Sequence, residues 1–166
     1  DPNLDRMTVS VVPLLIDALV ARCQDALPST VAVYDGMGVS DDPSDYVMIG
    51  VEDPFRDTES ASESKQEWFE AGVGAKRSET GTILCAALAW TGDTNVKVAR
   101  ERVYDTANAI AAMLRAGEPD NPRDFSLGLD GLLWTSYGTN SRLHQGQTDD
   151  GCFALVMFEI YFEAQI

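Results

Sequence analysis

The stretch Gly151-Cys-Phe-Ala-Leu-Val-Met-Phe-Glu-Ile-Tyr-Phe-Glu-Ala-Gln-Ile166 constrains the fold more than any other part of the chain. Read with a period of two, one face carries Cys152, Ala154, Val156, Phe158, Ile160, Phe162 and Ala164. The opposite face carries Phe153, Leu155, Met157, Glu159, Tyr161 and Glu163, apolar at its start and acidic towards its end. Alternation of this length, rich in aromatic and β-branched residues, predicts a long strand with one face wholly buried. The second face is only half wet, so a helix or a neighbouring subunit is expected to cover Phe153, Leu155 and Met157. A strand this apolar belongs at or near the centre of a sheet.

Upstream, apolar spacing predicts a helix over Thr8 to Leu27. Val12, Leu15, Ile16, Leu19, Val20, Cys23 and Leu27 form its stripe, with Thr8 or Ser10 as cap and Pro13 in the first turn. Short strands follow at Val31–Tyr34 and Asp45–Val51. Residues 52 to 65 lack an apolar period and read as a loop. Residues 66–74 and 80–91 read as the arms of one long hairpin, turning at Ala75–Gly81. A second helix spans Asn95 to Ala116 on the stripe Val96, Ala99, Val103, Ala107, Ile110 and Leu114, and Gly117 stops it. A strand around Leu132-Leu-Trp134, a polar excursion over Gly138–Gly151 and the closing strand complete the order. With hairpin-length links between strands, this predicts an α+β fold: a mostly antiparallel β-sheet, two α-helices packed on one face and a long β-hairpin.

The 166 residues suit a single domain spanning residues 1–166, with residues 1–6 expected to be flexible or a processing remnant. The segment from Met7 to Leu15 lacks the basic and small-residue marks of a signal peptide, and no apolar run approaches the ~20 residues of a membrane span. A net charge of −15 argues against a surface that neutralises phosphates. It suits an ordinary acidic protein, or one that lines a passage for DNA without gripping it. Cys23, Cys85 and Cys152 stand far apart on apolar faces, as expected of reduced core thiols.

The residues offer no compelling chemistry. His144 is the only histidine, and Ser141 is the one nucleophile beside it in a polar loop; Asp149 and Asp150 follow. The acidic pairs Asp41/Asp42, Asp149/Asp150 and Glu101/Asp105 have no spacing that would bury or join them, and no phosphate-binding glycine motif occurs. Trp68, Trp90 and Trp134 fall in expected strands, where packing in the core is the first expectation. No catalytic, cofactor or metal residue is therefore assigned.

The order of these elements, with the Asp45-Tyr-Val-Met-Ile-Gly50 strand, the Gln66–Lys76 segment, Ala89-Trp-Thr-Gly-Asp93 and the ending that stops just after the last strand, resembles the tail terminator proteins of long-tailed bacteriophages. The likeness covers about Met7 to Ile166 and is strongest to those of phages infecting actinobacteria. It implies a non-enzymatic virion protein, assembled in the host cytoplasm and sited at the tail–neck junction. There a ring, expected to be hexameric, caps the tail tube, ends its polymerisation and meets the neck. The implied partners are other copies of the chain, the major tail tube protein and a neck or head–tail connector protein. DNA passes through the lumen without specific binding; no cofactor and no membrane are implied. The Asp53–Lys65 loop, the Ala75–Gly81 turn and the Gly138–Asp150 loop are the expected contact regions. Alternatives are a head–tail connector or tail-completion protein, a small acidic hydrolase using His144 with Asp149 or Asp150, and an acidic DNA-mimic inhibitor.

Overall fold

The computed structural model describes residues 9–38, 45–56, 60–68 and 76–166. Residues 1–8, including Thr8 and the expected remnant, lie outside this set, as do Asp41 and Asp42. Among the described residues there are two helices, α1 (Val12–Ala26) and α2 (Val96–Ala116). The six strands are β1 (Val31–Asp35), β2 (Asp45–Ile49), β3 (Ser62–Trp68), β4 (Arg77–Thr91), β5 (Leu132–Thr148) and β6 (Gly151–Gln165). They form one sheet in the order β1-β2-β4-β6-β5, with β2 and β3 sharing one edge of β4. All pairings are antiparallel except β1 with β2. The fold is α+β, as the element pattern predicts.

β6 lies between β4 and β5, and its alternation is realised in the burial. Cys152, Ala154, Val156, Phe158, Ile160, Phe162 and Ala164 are all at most 1% exposed. They share a core with Leu15, Leu19 and Cys23 of α1 and with Ala99, Val103, Ile110 and Leu114 of α2, so both helices cover the same face. The two predicted stripes are the ones buried. α2 ends where Gly117 takes φ 69°, and a Cβ there would come within 2.6 Å of the Pro122 carbonyl oxygen. All three cysteines are buried and unpaired, and burial pushes the Cys23 thiol up to about 12.

Three expectations about polar segments need correction. The hairpin exists but sits further upstream: β3 begins at Ser62, inside the expected loop, and Arg77–Gly81, expected as a turn, belongs to β4. The tip at 69–75 is outside the described residues. Gly138–Thr148 is likewise no loop; it continues β5, interrupted by an irregularity between Tyr137 and Ser141, and only Asp149 and Asp150 turn the chain. Both strands are polar because each pairs along one edge only, which leaves much of its surface in water. Finally, only Trp90 of the three tryptophans is packed, stacked on Phe153 at 6.5 Å between ring centres. Trp68 lies at the far end of the hairpin, and Trp134 is on the outer face with its indole N–H donating to Glu163.

A buried carboxylate ties the hairpin to α1. Glu79 is fully buried and accepts hydrogen bonds from Ser10 Oγ (2.7 Å), the Val11 N–H (2.8 Å) and Ser64 Oγ (2.8 Å). Its negative charge sits at the start of α1, where the helix exposes unpaired N–H groups. Burial pushes its carboxyl up, but the hydrogen bonds from Ser10, Val11, Ser64 and Gln66 outweigh it and hold the group below the ordinary 4.5. Because the folded value is depressed, this stabilisation is complete above the ordinary glutamate range and is lost as pH falls through the folded value.

Two outcomes follow from this packing. Phe162→Ala should cost about 3–5 kcal/mol in chemical denaturation, whereas Tyr161→Ala, on the outer face, should cost about 1. Glu79→Gln should destabilise the protein by about 1–3 kcal/mol at neutral pH. Denaturation curves for it and the wild type should converge as the solution is made more acidic than the ordinary glutamate value.

Candidate interaction surfaces

The outer face of the sheet, opposite the helices, is built in two halves. Near the β2 end, Met48, Leu84, Ala86, Leu155 and Met157 form a second buried cluster, joined by Tyr34, Tyr46, Leu88 and Phe153. The chain leaves β2 at Gly50 and crosses this face as residues 51–56. The Val51 N–H donates to the Leu84 carbonyl at 3.0 Å, which starts the crossing in register with β4. This strap supplies the cover that β6 requires over Leu155 and Met157, which are 4% and 1% exposed. The cover is thus an irregular segment of the same chain rather than the expected helix or neighbouring subunit, and Phe153 is only partly buried.

Asp53 and Phe55 pin the strap to β5. The Asp53 side chain is fully buried, and its Oδ2 lies 3.1 Å from Arg142 Nη2. Its Oδ1 accepts the Phe55 N–H at 2.8 Å, a short turn that aims the Phe55 ring outward over β5. There the ring stacks on His144 with centres 4.3 Å apart and planes 21° from parallel. Arg142 and His144 share this face because they pair across the ladder with Met157 and Leu155. Two places further on, Gly146 pairs with Phe153, and a Cβ there would lie 2.8 Å from the Phe153 ring. Glycine at 146 lets that aromatic ring lie across β5.

Beside the strap an apolar groove of about 230 Å³ remains open, lined by Met37, Tyr46, Met48, Phe55, Leu88 and Phe153 among others. Among the described residues no charged side chain lines it. The other half of the outer face has no covering layer among the described residues and is polar. Ladder rows there read Lys65, Thr80, Glu163, Trp134 and Glu63, Thr82, Tyr161, Ser136.

The candidate residues named from the sequence do not converge. His144 and Ser141 alternate on β5: Ser141 pairs with Phe158 of the helix-covered face, whereas His144 pairs with Leu155 of the outer face. They therefore point to opposite sides of the sheet and form no nucleophile–base pair. Asp149 and Asp150 form the exposed turn five and six residues beyond His144, roughly 17 Å along an extended strand. His144 Nε2 is buried without a hydrogen-bond partner, and the ring serves as a flat surface for Phe55. Glu101 and Asp105 are exposed on α2, with Glu101 3.5 Å from Lys97. Among the described residues no three His, Cys, Asp or Glu side chains gather as a metal site, and no helix is long and apolar enough to cross a membrane.

Of the expected contact regions, Asp53 itself is internal and holds the strap, while Phe55 is 56% exposed at the groove rim. The residues that organise this face, Arg142 and Phe55, were not singled out by sequence reading. The usable signal was Thr148-Asp-Asp-Gly151, whose two-residue turn requires the residues before it to pair with β6 and so brings Arg142 alongside Met157.

Arg142→Leu leaves the Asp53 carboxylate buried without its guanidinium and should cost about 3 kcal/mol in denaturant unfolding. Removing both charges together, as Asp53→Leu with Arg142→Leu, should cost less than the sum of the single changes, because no unpaired charge remains. No protein-family model and no curated protein matches the chain.

Proposed function

We propose that this chain is a tail terminator of a long-tailed bacteriophage, a structural subunit that caps the tail tube as a ring and joins it to the neck. The observation that carries the reading is where the resembling segments fall. Asp45–Gly50 contains β2, Ala89–Asp93 ends β4, and the closing stretch is β6, so three segments far apart in sequence form one run of adjacent strands. Of the Gln66–Lys76 segment, residues 66–68 end β3, at the opposite end of that sheet. A likeness confined to isolated core positions would not select one continuous part of the fold.

The physical character of the surface supports a role in assembly. β5 has a strand partner on one side only; among the described residues its other edge is met only near its start, where the Phe125 carbonyl accepts the Thr135 N–H, and strand edges are ready sites for contact with further chains. The net charge of −15 would repel DNA from a lumen lined by this protein, allowing passage without retention.

The test is to assemble tails with and without the chain and image them. Over-long tubes in its absence, restored to a uniform length when it is supplied, are the expected result. Normal-length tails that fail to join heads would instead identify a connector. A particle structure in which the chain is absent from the tube–neck junction would overturn the assignment.

A further inference from the structure

We infer that the apolar groove on the outer face receives Trp68 of a second copy of this chain, a head-to-tail contact that rests on the ring reading above. Trp68 is the most exposed aromatic side chain among the described residues, at 70%. It is also held in place: it pairs with Arg77 at the last rung of the β3–β4 ladder, and the Arg77 guanidinium lies 5.5 Å from the ring centre. An exposed indole stacked on one side and open on the other is a pre-oriented anchor. Tryptophan is among the residues that most often dominate binding when they enter a pocket.

The groove has the complementary character. Its lining combines Met37 and Met48, whose flexible thioethers adapt to a flat ring, with the aromatic rings of Tyr46, Phe55 and Phe153. Met37 and Phe55 on its rim are 65% and 56% exposed, so two large apolar side chains stand in water until something covers them. Its size, about 230 Å³, suits a single large side chain rather than a helix. The described lining is apolar and aromatic, so it selects by shape and apolarity.

The other exposed apolar side chains fit less well. Trp134 is held by Glu163 through its indole N–H, and Leu133 lies at an irregularity in β5 beside it. Val9 and Leu14 are aliphatic and offer no flat ring, and Val98 and Tyr104 on α2 are less exposed than Trp68.

The positions of the two surfaces exclude a two-fold contact made by this pair alone. Trp68 pairs with Arg77 at the start of β4, whereas the groove reaches Leu88, eleven residues along the same strand, roughly 37 Å away. By ladder alternation Trp68 belongs to the helix-covered face, with Arg77 and Glu79, and the groove belongs to the outer face. Unlike patches at opposite ends and on opposite faces join head to tail, which generates rings or filaments. One tryptophan in one groove buries far less than the ~1,600 Å² of a standard interface, so a single junction is weak. Closure holds each copy at both ends and makes the assembly cooperative. Since every copy carries −15, added salt should strengthen the association by screening repulsion.

Sedimentation of the purified chain from micromolar to millimolar concentration, at low and high salt, tests this. Concentration-dependent association that increases with salt is expected. Trp68→Ala should weaken it on the order of 30-fold, and so should the doubly substituted rim variant Met37→Glu with Phe55→Glu, checked for an unchanged fold by circular dichroism. An equimolar mixture of the two variants retains one intact junction, Trp68 of one in the groove of the other, and should yield nothing larger than a dimer. Trp134→Ala should associate like the wild type. A wild type that stays monomeric throughout, a Trp68→Ala variant that associates normally, a mixture that forms species larger than a dimer, or an equal loss in Trp134→Ala would each overturn the inference. These outcomes are separable from the capping role. A Trp68→Ala chain that assembles normally in solution and still limits tube length removes only this contact, whereas a chain that self-associates but leaves tubes over-long removes the terminator reading.

Discussion

Burial of both sides of β6 is the constraint on which the rest of the structure depends. One side is filled by seven residues from Cys152 to Ala164 that are at most 1% exposed, and two helices are needed to cover them. The other side is apolar only over Phe153, Leu155 and Met157, too short a patch to hold a helix and too large to leave in water. The chain meets this with the strap at 51–56, and the sheet edge follows from that choice. β2 must stop at Ile49 so that the chain can cross, and β3 then takes up the remaining edge of β4.

The buried polar groups lie where elements that are weakly held by apolar contact join the body. The strap has few large side chains, and Asp53 with Arg142 fixes it to β5. The hairpin is polar along β3, and Glu79 fixes it to the start of α1 through Ser10 and Val11 on one side and Ser64 on the other. In both places a carboxylate is removed from water and its oxygens are met by several donors. That arrangement makes geometry specific, because any other placement would leave a buried charge unpaired. At the α2 end, Arg102 plays a similar part from the surface, bonding both oxygens of Asp45 at the start of β2.

The surfaces left over give the molecule its functional direction. It carries a large negative charge, sheet edges with little pairing among the described residues, a pre-oriented exposed tryptophan at one end and an apolar groove at the other. Ser141 points to the other side of the sheet from His144, whose ring is a surface against which Phe55 packs. The residues that looked most chemical in sequence thus do structural work, while large apolar residues expected in the core are the ones in water.

The sequence by itself determined the class of the fold, the two helix stripes and the buried face of β6, because each depends on a period that apolar residues repeat over many positions. Gly117 was also legible as the stop of α2, since local backbone chemistry dictates it. Tertiary structure alone decided the status of the polar segments. Ser62–Lys65 and Gly138–Thr148 become strands because β4 and β6 are long enough to offer them unpaired edges, and edge strands require little apolar surface of their own. It also decided that Glu79 and Asp53 are internal and Trp68 external. Nothing local distinguishes a glutamate that will accept three hydrogen bonds from one that will face water, because its partners come from α1 and β3, 68 and 15 residues away.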